Sequence, residues 1–403
     1  MTAGPYDLSR MSLNPASLGL GSGYELSIGA TGVITSLTAS DVSGSTVLGT
    51  PISGNSGGNA GVAAVLPNLY AAASVNQWLR LGFGATSYYG LGPAWDSNWI
   101  GRYNIISAQL RSIDLIGVAS VRPTPSLIVA GGPIFENVAI RTDAAIDDGT
   151  LDQIAFNGAF GGVPGGSDGS VATRVENWAV GYIVGATWEP WEGGRIGASY
   201  RSQIHHQLNG NAIFGGGGSV GQAIAAVTGV AGSQPFSSSL TNPAVITVGI
   251  AQHIGDSLEV FADVQRLGWH SVKSLDLVFD NPAQPPVLTE LNLNDTWYIA
   301  VGGRYQLNEI VAVRFGAAYD TSSTQQPNRT PLLPDADTWW LAVGLEVMAT
   351  QSLRIDWAYG HVFWSGADIS LSATQLGSTL RGNLMAATQT SGNFMAIQAS
   401  YRF

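Results

Sequence analysis

The stretch that decides the fold is 391–403, which reads SGNFMAIQASYRF. In an extended strand its residues separate into an apolar face and a mixed face: Ile397, Ala399, Tyr401 and Phe403 against Phe394, Ala396, Gln398, Ser400 and Arg402. A last strand with one lipid-compatible face and a closing aromatic residue is typical of a transmembrane β-barrel. The aromatic residue belongs at the membrane interface, and the strand pairs back with the first one.

The composition also indicates a barrel. Charged residues make up only 11% of the 403 residues and hydrophobic residues 45%, whereas soluble domains carry roughly 25% charged residues. No run approaches the ~20 apolar residues that a spanning helix needs. Low charge without such a helix is what alternating lipid-facing and lumen-facing residues produce.

Several function classes are disfavoured. The net charge of −11 argues against a nucleic-acid partner, and the chain has no cysteine. His205 and His206 are adjacent, so on a strand they point to opposite faces and cannot share a metal. We therefore expect no catalytic residues, no metal and no cofactor. The segment MTAGPYDLSR lacks signal-peptide features, so we take Met1 as the start of a mature or truncated chain.

Period-two segments alternate with short turns and long Gly/Ser-rich loops, a pattern that predicts about fourteen antiparallel strands. Within 195–208, we expect Ile196, Tyr200, Ile204 and Leu208 to share the lipid face. Long loops are expected near 38–63, 89–107, 143–174, 209–238, 281–293, 321–336 and 365–390. Residues 1–22 are too polar and too broken by Gly and Pro to span a membrane. We expect them to form a plug inside a barrel built from residues 23–403.

Four stretches carry a resemblance to a known family. They are Asn14-Pro15-Ala16, the segment 83–103 ending in W-x-GRY, the segment 176–210 containing Tyr200-Arg201-Ser202, and the segment 313–346 with its LPD and W-L-x-x-G pattern. Together and in this order they resemble the FadL/TodX family of outer membrane transport proteins, nearly end to end. The family's hatch is longer, and here only thirteen residues precede Asn14.

The resemblance implies a fourteen-stranded barrel in the outer membrane for passive uptake of hydrophobic molecules. It implies an outer groove between two extracellular loops, an inner pocket, and a lateral opening at a kink in the third strand. By position, the loops are 143–174 and 209–238. The apolar content of the second loop makes Phe214, Val220, Ile224 and Val227 candidates for substrate binding. Gly82, Gly84 and Gly90 of the third strand, with Asn14-Pro15-Ala16, are the candidate gate and hatch; tight packing against the plug would explain the same glycines.

Parity places several charged residues in the lumen, including Arg201 and Arg314. They either pair with acidic residues across strands, or one arginine receives a substrate carboxylate. The expected partners are fatty acids or other hydrophobic small molecules, together with outer membrane lipid and lipopolysaccharide, and we expect a monomer. The competing interpretations are a channel of the same fold for aromatic hydrocarbons, a general porin and an outer membrane lipase. Ser199 has no base beside it, and the apolar loop and plug disfavour an open porin.

Overall fold

The computed structural model describes residues 2–403. Fourteen antiparallel strands form one closed barrel, which confirms the predicted fold class. The strands are β1 (Tyr24–Ser45), β2 (Ala63–Ser74), β3 (Leu79–Thr86, resuming at Gly90–Leu91), β4 (Ser107–Thr124), β5 (Leu127–Asp147), β6 (Asp168–Trp191), β7 (Gly194–Arg201 and Ile204–Gly216), β8 (Gly232–Asn242 and Val245–Ile254), β9 (Leu258–Leu267), β10 (Thr296–Gln306), β11 (Val311–Asp320), β12 (Thr338–Met348), β13 (Leu353–Trp364) and β14 (Asn383–Arg402).

The barrel closes where the sequence predicts it. β14 pairs antiparallel with β1, from Glu25 opposite Arg402 to Ser45 opposite Asn383. On β14, Ile397 and Tyr401 are exposed on the outer wall, whereas the side chains of Gln398 and Ser400 bond to Asp7 and Ser27 inside. The predicted parity of this strand is therefore confirmed.

Short turns and long loops alternate around the barrel. The longer connections carry two helices, α1 (Asp148–Phe156) and α2 (Gly218–Thr228), and two short extra strands, Val278–Phe279 and Ala367–Leu371. Several strands extend further into the loop regions than the sequence predicts: β1 to Ser45, β5 to Asp147 and β14 from Asn383. The alternation of apolar residues reports contact with lipid, whereas backbone pairing continues beyond the membrane, where no lipid enforces that pattern.

Aromatic side chains ring the outer wall at both ends of the strands, as interfacial girdles do. The exposed tryptophans on the strands are Trp178, Trp188, Trp191, Trp297, Trp339 and Trp357. Among the described residues, no helix has the length and apolarity needed to cross a membrane.

One predicted face assignment is wrong. β7 is interrupted at Ser202 and Gln203, and the interruption shifts the alternation by one residue. Ile204 and Leu208 are consequently buried inside the barrel, on the same side as Arg201, instead of facing lipid with Ile196. His206 also turns inward and is fully buried.

The segment before β1 lies inside the barrel as two short 3₁₀ turns, Leu8–Ser12 and Pro15–Leu20. Leu8, Met11 and Leu18 are fully buried and pack with wall residues such as Ile116 and Ile134. The wall also binds this segment by charge, since Arg354 forms an ion pair of 2.7 Å with Asp7.

Candidate transport pathway

Asn14 anchors the plug segment at a helix-like turn. Its side-chain oxygen accepts the N–H of Ala16 at 3.0 Å and so caps the Pro15–Leu20 turn, where Pro15 occupies the first position. Its amide nitrogen donates to the backbone oxygen of Ala186 at 3.2 Å. Gly185 makes this approach possible, because a Cβ there would lie 2.2 Å from the Asn14 side-chain oxygen. The Asn14-Pro15-Ala16 motif is therefore docked against β6.

A different part of the plug touches β3. A Cβ on Gly82 would lie 2.8 Å from Leu18, and a Cβ on Gly84 would lie 2.9 Å from Tyr70. Both glycines are regularly paired with β2 and β4. Their small size accommodates the plug and the neighbouring strand, while the strand's interruption lies further along.

The interruption of β3 covers Ser87, Tyr88 and Tyr89, and Gly90 follows it. The backbone N–H groups of Tyr88 and Tyr89 turn to the hydroxyl of Ser112 on β4, at 3.2 and 2.8 Å. Gly90 then pairs opposite Arg111 of β4. Beyond Ala85, β3 thus continues along β4 and leaves β2.

This departure creates an unpaired seam in the wall between residues 63–68 of β2 and residues 87–91 of β3. The last backbone pair below the seam joins Leu69 to Ala85. Above it, the chain returns to the segment just before β2, since a Cβ on Gly92 would lie 3.0 Å from Val62. Residues 63–68 keep their pairing with β1 on the other side. The seam is thus bounded at both ends and lies between two intact strand pairs.

A second interruption of pairing separates residues 176–182 of β6 from residues 203–209 of β7. Side chains bridge this one. The hydroxyl of Ser202 accepts the N–H of Tyr182 at 3.0 Å, and Ile204 fills the space beside Gly181.

A buried polar layer lies on the lumen side of the β3 interruption. Arg201 lies 2.8 Å from Asp114 and 2.8 Å from Glu136, and its guanidinium stacks over the ring of Tyr88 at 4.5 Å. The contact to Asp114 is close enough for an ion pair but lacks hydrogen-bond alignment, so neither oxygen of Asp114 has a hydrogen-bond partner among the described residues.

Glu136 has further polar partners in this layer. It accepts the side-chain amide of Asn242 at 2.6 Å and lies 2.9 Å from Nε2 of His206. Asp114, Glu136 and His206 are fully buried, and Arg201 nearly so. Burying ionised groups is costly unless they are paired and hydrogen-bonded. These side chains therefore depend on one another, because removing one of them would leave its partner buried without a counter-charge or a hydrogen bond.

The polar layer separates two apolar regions of the lumen. On its extracellular side, Val138, Ile140 and Leu208 form one buried cluster. On its periplasmic side, Ile116 and Ile204 pack with the plug. These assignments follow the strand directions. Val138 is two residues after Glu136 on β5, which runs toward the extracellular side, and Ile116 is two residues after Asp114 on β4, which runs toward the periplasmic side.

Arg314, the other candidate arginine, belongs to a chain of ion pairs on the far wall. It contacts Glu346 and lies 3.2 Å from Asp356. The same layout recurs around the lumen in the pairs Arg304–Glu346, Arg354–Asp356, Arg195–Glu259 and Arg80–Glu25. Arg10 in the plug forms no ion pair within residues 2–403, and its Nη1 has no hydrogen-bond partner there.

The loop candidates are divided between interior and surface. On α2, Val220 and Ile224 are buried, whereas Val227 is 64% exposed. Phe214, at the end of β7, packs against Phe279 with ring centroids 5.8 Å apart. Helices α1 and α2 contact each other, and α1 adds the exposed Ile154 beside them. Each of the two contacting helices thus leaves an apolar side chain exposed.

Asp148 lies at the contact between the two helices. Its carboxylate is buried against Gly217 and Gly221 of the α2 end. Burial, together with the negative charges of Asp147 and Asp168, raises the pKa of Asp148 to about 6.

The W-x-GRY motif fixes these loops to the barrel. Trp99 is fully buried and stacks on Trp95 at 4.6 Å. Arg102 pairs with Asp168 at 2.6 Å and also donates to the backbone oxygen of Ser53 at 2.7 Å. The motif therefore joins three extracellular segments and has a structural role.

Sequence reasoning missed Asp114, Glu136, Tyr88 and His206. Asp114 and Glu136 lie in β4 and β5, and the interruption of β7 hides the face to which His206 turns. An isolated carboxylate inside a strand of otherwise apolar residues, as in the stretch SIDLIGV around Asp114, is the signal that could have found them.

Residues 2–403 match the family model of the outer membrane protein transport protein family (OMPP1/FadL/TodX). The chain belongs to this family. The long-chain fatty acid transport protein of Escherichia coli O6:H1 is 23% identical over 312 residues, which cover 73% of this chain and 68% of that protein.

Two solved structures show the same fold. The Pseudomonas aeruginosa FadL homologue matches with a TM-score of 0.92 at 21% identity, over 100% of this chain and 95% of that one. The Pseudomonas putida toluene transporter TodX matches with a TM-score of 0.67 at 17% identity, over 98% and 94%. This FadL/TodX-family protein is therefore an outer membrane β-barrel transporter for hydrophobic molecules.

Proposed function

We propose that the protein takes up hydrophobic molecules passively, by capture between the α1 and α2 loops, transfer into the lumen and sideways release into the bilayer. The observation that carries this proposal is the seam between residues 63–68 and 87–91. An apolar molecule that leaves the lumen for water gains nothing, whereas one that leaves for lipid keeps its apolar surface out of water. A break in the wall at membrane depth supplies that route.

The layering of the lumen supports the same path. An apolar molecule in contact with Val138 and Leu208 meets the buried charges of Glu136 and Arg201 below it. Passing them would require desolvated contact between an apolar chain and ionised groups, which is unfavourable. The seam lies beside this layer, on the other side of Tyr88. The plug segment, fixed to β6 through Asn14, would remain in place during such a passage.

The relatives name two substrate classes, long-chain fatty acids and toluene. We retain both as candidates for this chain. Arg201 and Arg314 already pair with carboxylates of the protein, which would compete with a carboxylate of the substrate. This competition favours the uncharged class of substrate.

A cross-link across the seam tests the exit. Continuing the register of the Leu69–Ala85 pair would place Pro67 opposite Ser87. Because the chain has no cysteine, the variant Pro67→Cys/Ser87→Cys carries the only thiols. Its disulfide should abolish uptake of hydrophobic substrate by cells, and reduction should restore it.

The matched control is Ala71→Cys/Phe83→Cys, which joins the same strands at a pair that is already closed. Full uptake by the oxidised seam variant would show that substrate leaves elsewhere. The interruption between β6 and β7 would then be the next route to cross-link.

A further inference from the structure

We infer that the polar layer of Asp114, Glu136 and Arg201 makes this channel select uncharged hydrophobic molecules over carboxylates of the same chain length. This inference rests on the proposed function and names its substrate class. It starts from the local charge. Two buried carboxylates, those of Asp114 and Glu136, face the single guanidinium of Arg201.

Arg201 is already paired with two carboxylates of the protein. Both terminal nitrogens of its guanidinium lie 2.8 Å from carboxylate oxygens, and its face is covered by Tyr88. A fatty acid carboxylate would therefore have to displace Glu136 or Asp114, and it would approach the remaining negative charge without water to screen it. Bringing like charges together in this way is unfavourable.

An uncharged head group meets a different situation. The two oxygens of Asp114 have no hydrogen-bond partner among residues 2–403, although the side chain is fully buried. Once Tyr88 moves, a hydroxyl group on the substrate could donate to one of them, and a hydrocarbon would have no charge to repel. Hydrophobic alcohols, phenols and hydrocarbons are thus the classes that this layer admits.

The same layer is coupled to the exit. Tyr88 covers Arg201 and belongs to the three-residue interruption of β3, and Tyr89 of the same interruption packs edge-on against Trp269 at 5.8 Å. A molecule that displaces Tyr88 from the polar layer therefore moves the segment that borders the seam. Selection and release would act on the same residues.

The test compares two probes that differ only in the head group, hexadecan-1-ol and palmitate, at matched free concentration. Uptake is measured in cells whose outer membrane contains this protein as the sole hydrophobe channel. We expect the alcohol to enter at least about tenfold faster than palmitate, since 1.4 kcal/mol corresponds to a factor of ten.

The variant Asp114→Asn/Glu136→Gln removes both negative charges and leaves Arg201 available. It should raise palmitate uptake about tenfold and change alcohol uptake less than twofold. The control Glu346→Gln removes a carboxylate from the far wall and should leave the ratio unchanged. The single variant Asp114→Asn serves if the double variant does not form the heat-modifiable folded band.

Equal uptake of the two probes by the wild-type protein would overturn the selectivity and leave the proposed function intact. Uptake of neither probe above that of cells without the channel would instead refute the proposed function. The assignment would also be overturned if the Glu346→Gln control raised palmitate uptake as much as the double variant does. That result would show that the total charge of the lumen, and not the polar layer, determines the selectivity.

A second inference concerns the outer wall. Arg141 of β5 and Arg174 of β6 lie directly opposite each other, and both are exposed. Arg111 of β4 is exposed near them, and none of the three side chains has a hydrogen bond or an ion pair within the described residues, although Asp143 and Glu176 flank them along the strands. Like charges directly opposite on neighbouring strands are destabilising unless an anion lies between them.

The position of these arginines above the outer aromatic girdle indicates which anion they bind. Arg174 lies four residues beyond Trp178 of the outer girdle, about 13 Å along the strand. The phosphate groups of the outer leaflet lie just above the interfacial aromatic residues. We infer that Arg111, Arg141 and Arg174 bind the phosphates of lipopolysaccharide.

Purified protein should bind bisphosphorylated lipid A, and Arg141→Gln/Arg174→Gln should weaken that binding about tenfold or more. The control Arg266→Gln/Arg402→Gln removes the same charge elsewhere and should have little effect. Equal binding of dephosphorylated lipid A, or unchanged binding by the first variant, would overturn the inference. Competition by inorganic pyrophosphate alone, without lipid A binding, would show a free-phosphate site instead of a lipid site.

Discussion

Leu69 and Ala85 form the last backbone pair between β2 and β3, although β2 continues for six residues beyond it. The N–H groups of residues 63–68 that do not bond to β1 therefore have no partner across the seam. A backbone group that lacks a partner in a lipid environment is costly, so such a break persists only where the surrounding structure maintains it. Here Ser112 maintains it, because its hydroxyl binds the backbone of Tyr88 and Tyr89 on the far side.

Hydrogen exchange should reveal the seam. In detergent micelles, the amides of 63–68 that point to β3 should exchange faster than those of 69–74, which are paired on both sides. Peptide-resolved mass spectrometry measures both segments in one protein. Equal protection of the two segments would mean that the strands close in solution.

The depth at which residues of the outer wall lie in the bilayer can be tested on β14. Met395 and Ile397 are exposed on the outer face, and Met395 lies six residues from Tyr401 of the periplasmic girdle. Met395→Arg should lower the free energy of unfolding by about 2–4 kcal/mol, as arginine does near the bilayer midplane, and Ala399→Arg by about 0–1 kcal/mol. Urea titration in lipid vesicles gives both values. Equal costs at the two positions would contradict the assigned depth.

The capture surface can be tested on α2. Val227 is exposed, whereas Ile224 is buried, so only the first can be changed without disturbing the helix. Val227→Asp should reduce uptake of hydrophobic substrate several-fold, since burying apolar surface contributes about 25 cal/mol per Å². Gln222→Asp adds the same charge at an exposed polar position and is the control. If both variants transport like the wild type, the helix is not the capture surface.

The sequence predicts the closed barrel well, because the lipid enforces a strict alternation along strands such as β14. It predicts the pathway less well, since inside the barrel polar and apolar residues both occur. Gly82 and Gly84 lie in the strand that carries the interruption, but both are paired with their neighbours, and the interruption begins at Ser87. The position of Ile204 could not be predicted, because a two-residue break in β7 reverses every face beyond it. Asp114 and Glu136 meet Arg201 only through strand register, which a single sequence does not specify.

The contact between the loop helices should depend on pH. The pKa of Asp148 rises from 3.8 to about 6 on folding, so folding disfavours its charged form. Below about pH 4 the carboxyl group is neutral in both states and carries no penalty. Between about pH 4 and pH 6 the unfolded state loses its proton while the folded state keeps it, so the penalty develops over this range, is complete above about pH 6, and weakens the contact. Residues 148–156 and 218–228 should therefore exchange amide hydrogens more slowly at pH 5 than at pH 7.5, after correction for intrinsic rates. Asp148→Asn should remove this difference; if the difference persists, another group is responsible.

The docking of the plug depends on the absence of a side chain at Gly185. A Cβ there would lie 2.2 Å from Asn14 and 2.9 Å from Pro15, so Gly185→Ala must displace the capped turn from β6. The turn would then lose its hydrogen bond to the backbone oxygen of Ala186 on β6, and the plug would loosen. We expect the variant to conduct ions in planar bilayers at a level well above the wild type. Gly360→Ala is the matched control, because the nearest atom to a Cβ at that position lies 3.7 Å away. It should conduct like the wild type. A Gly185→Ala protein that folds and remains closed would mean that Arg354 and Asp7 hold the plug without the Asn14 contact.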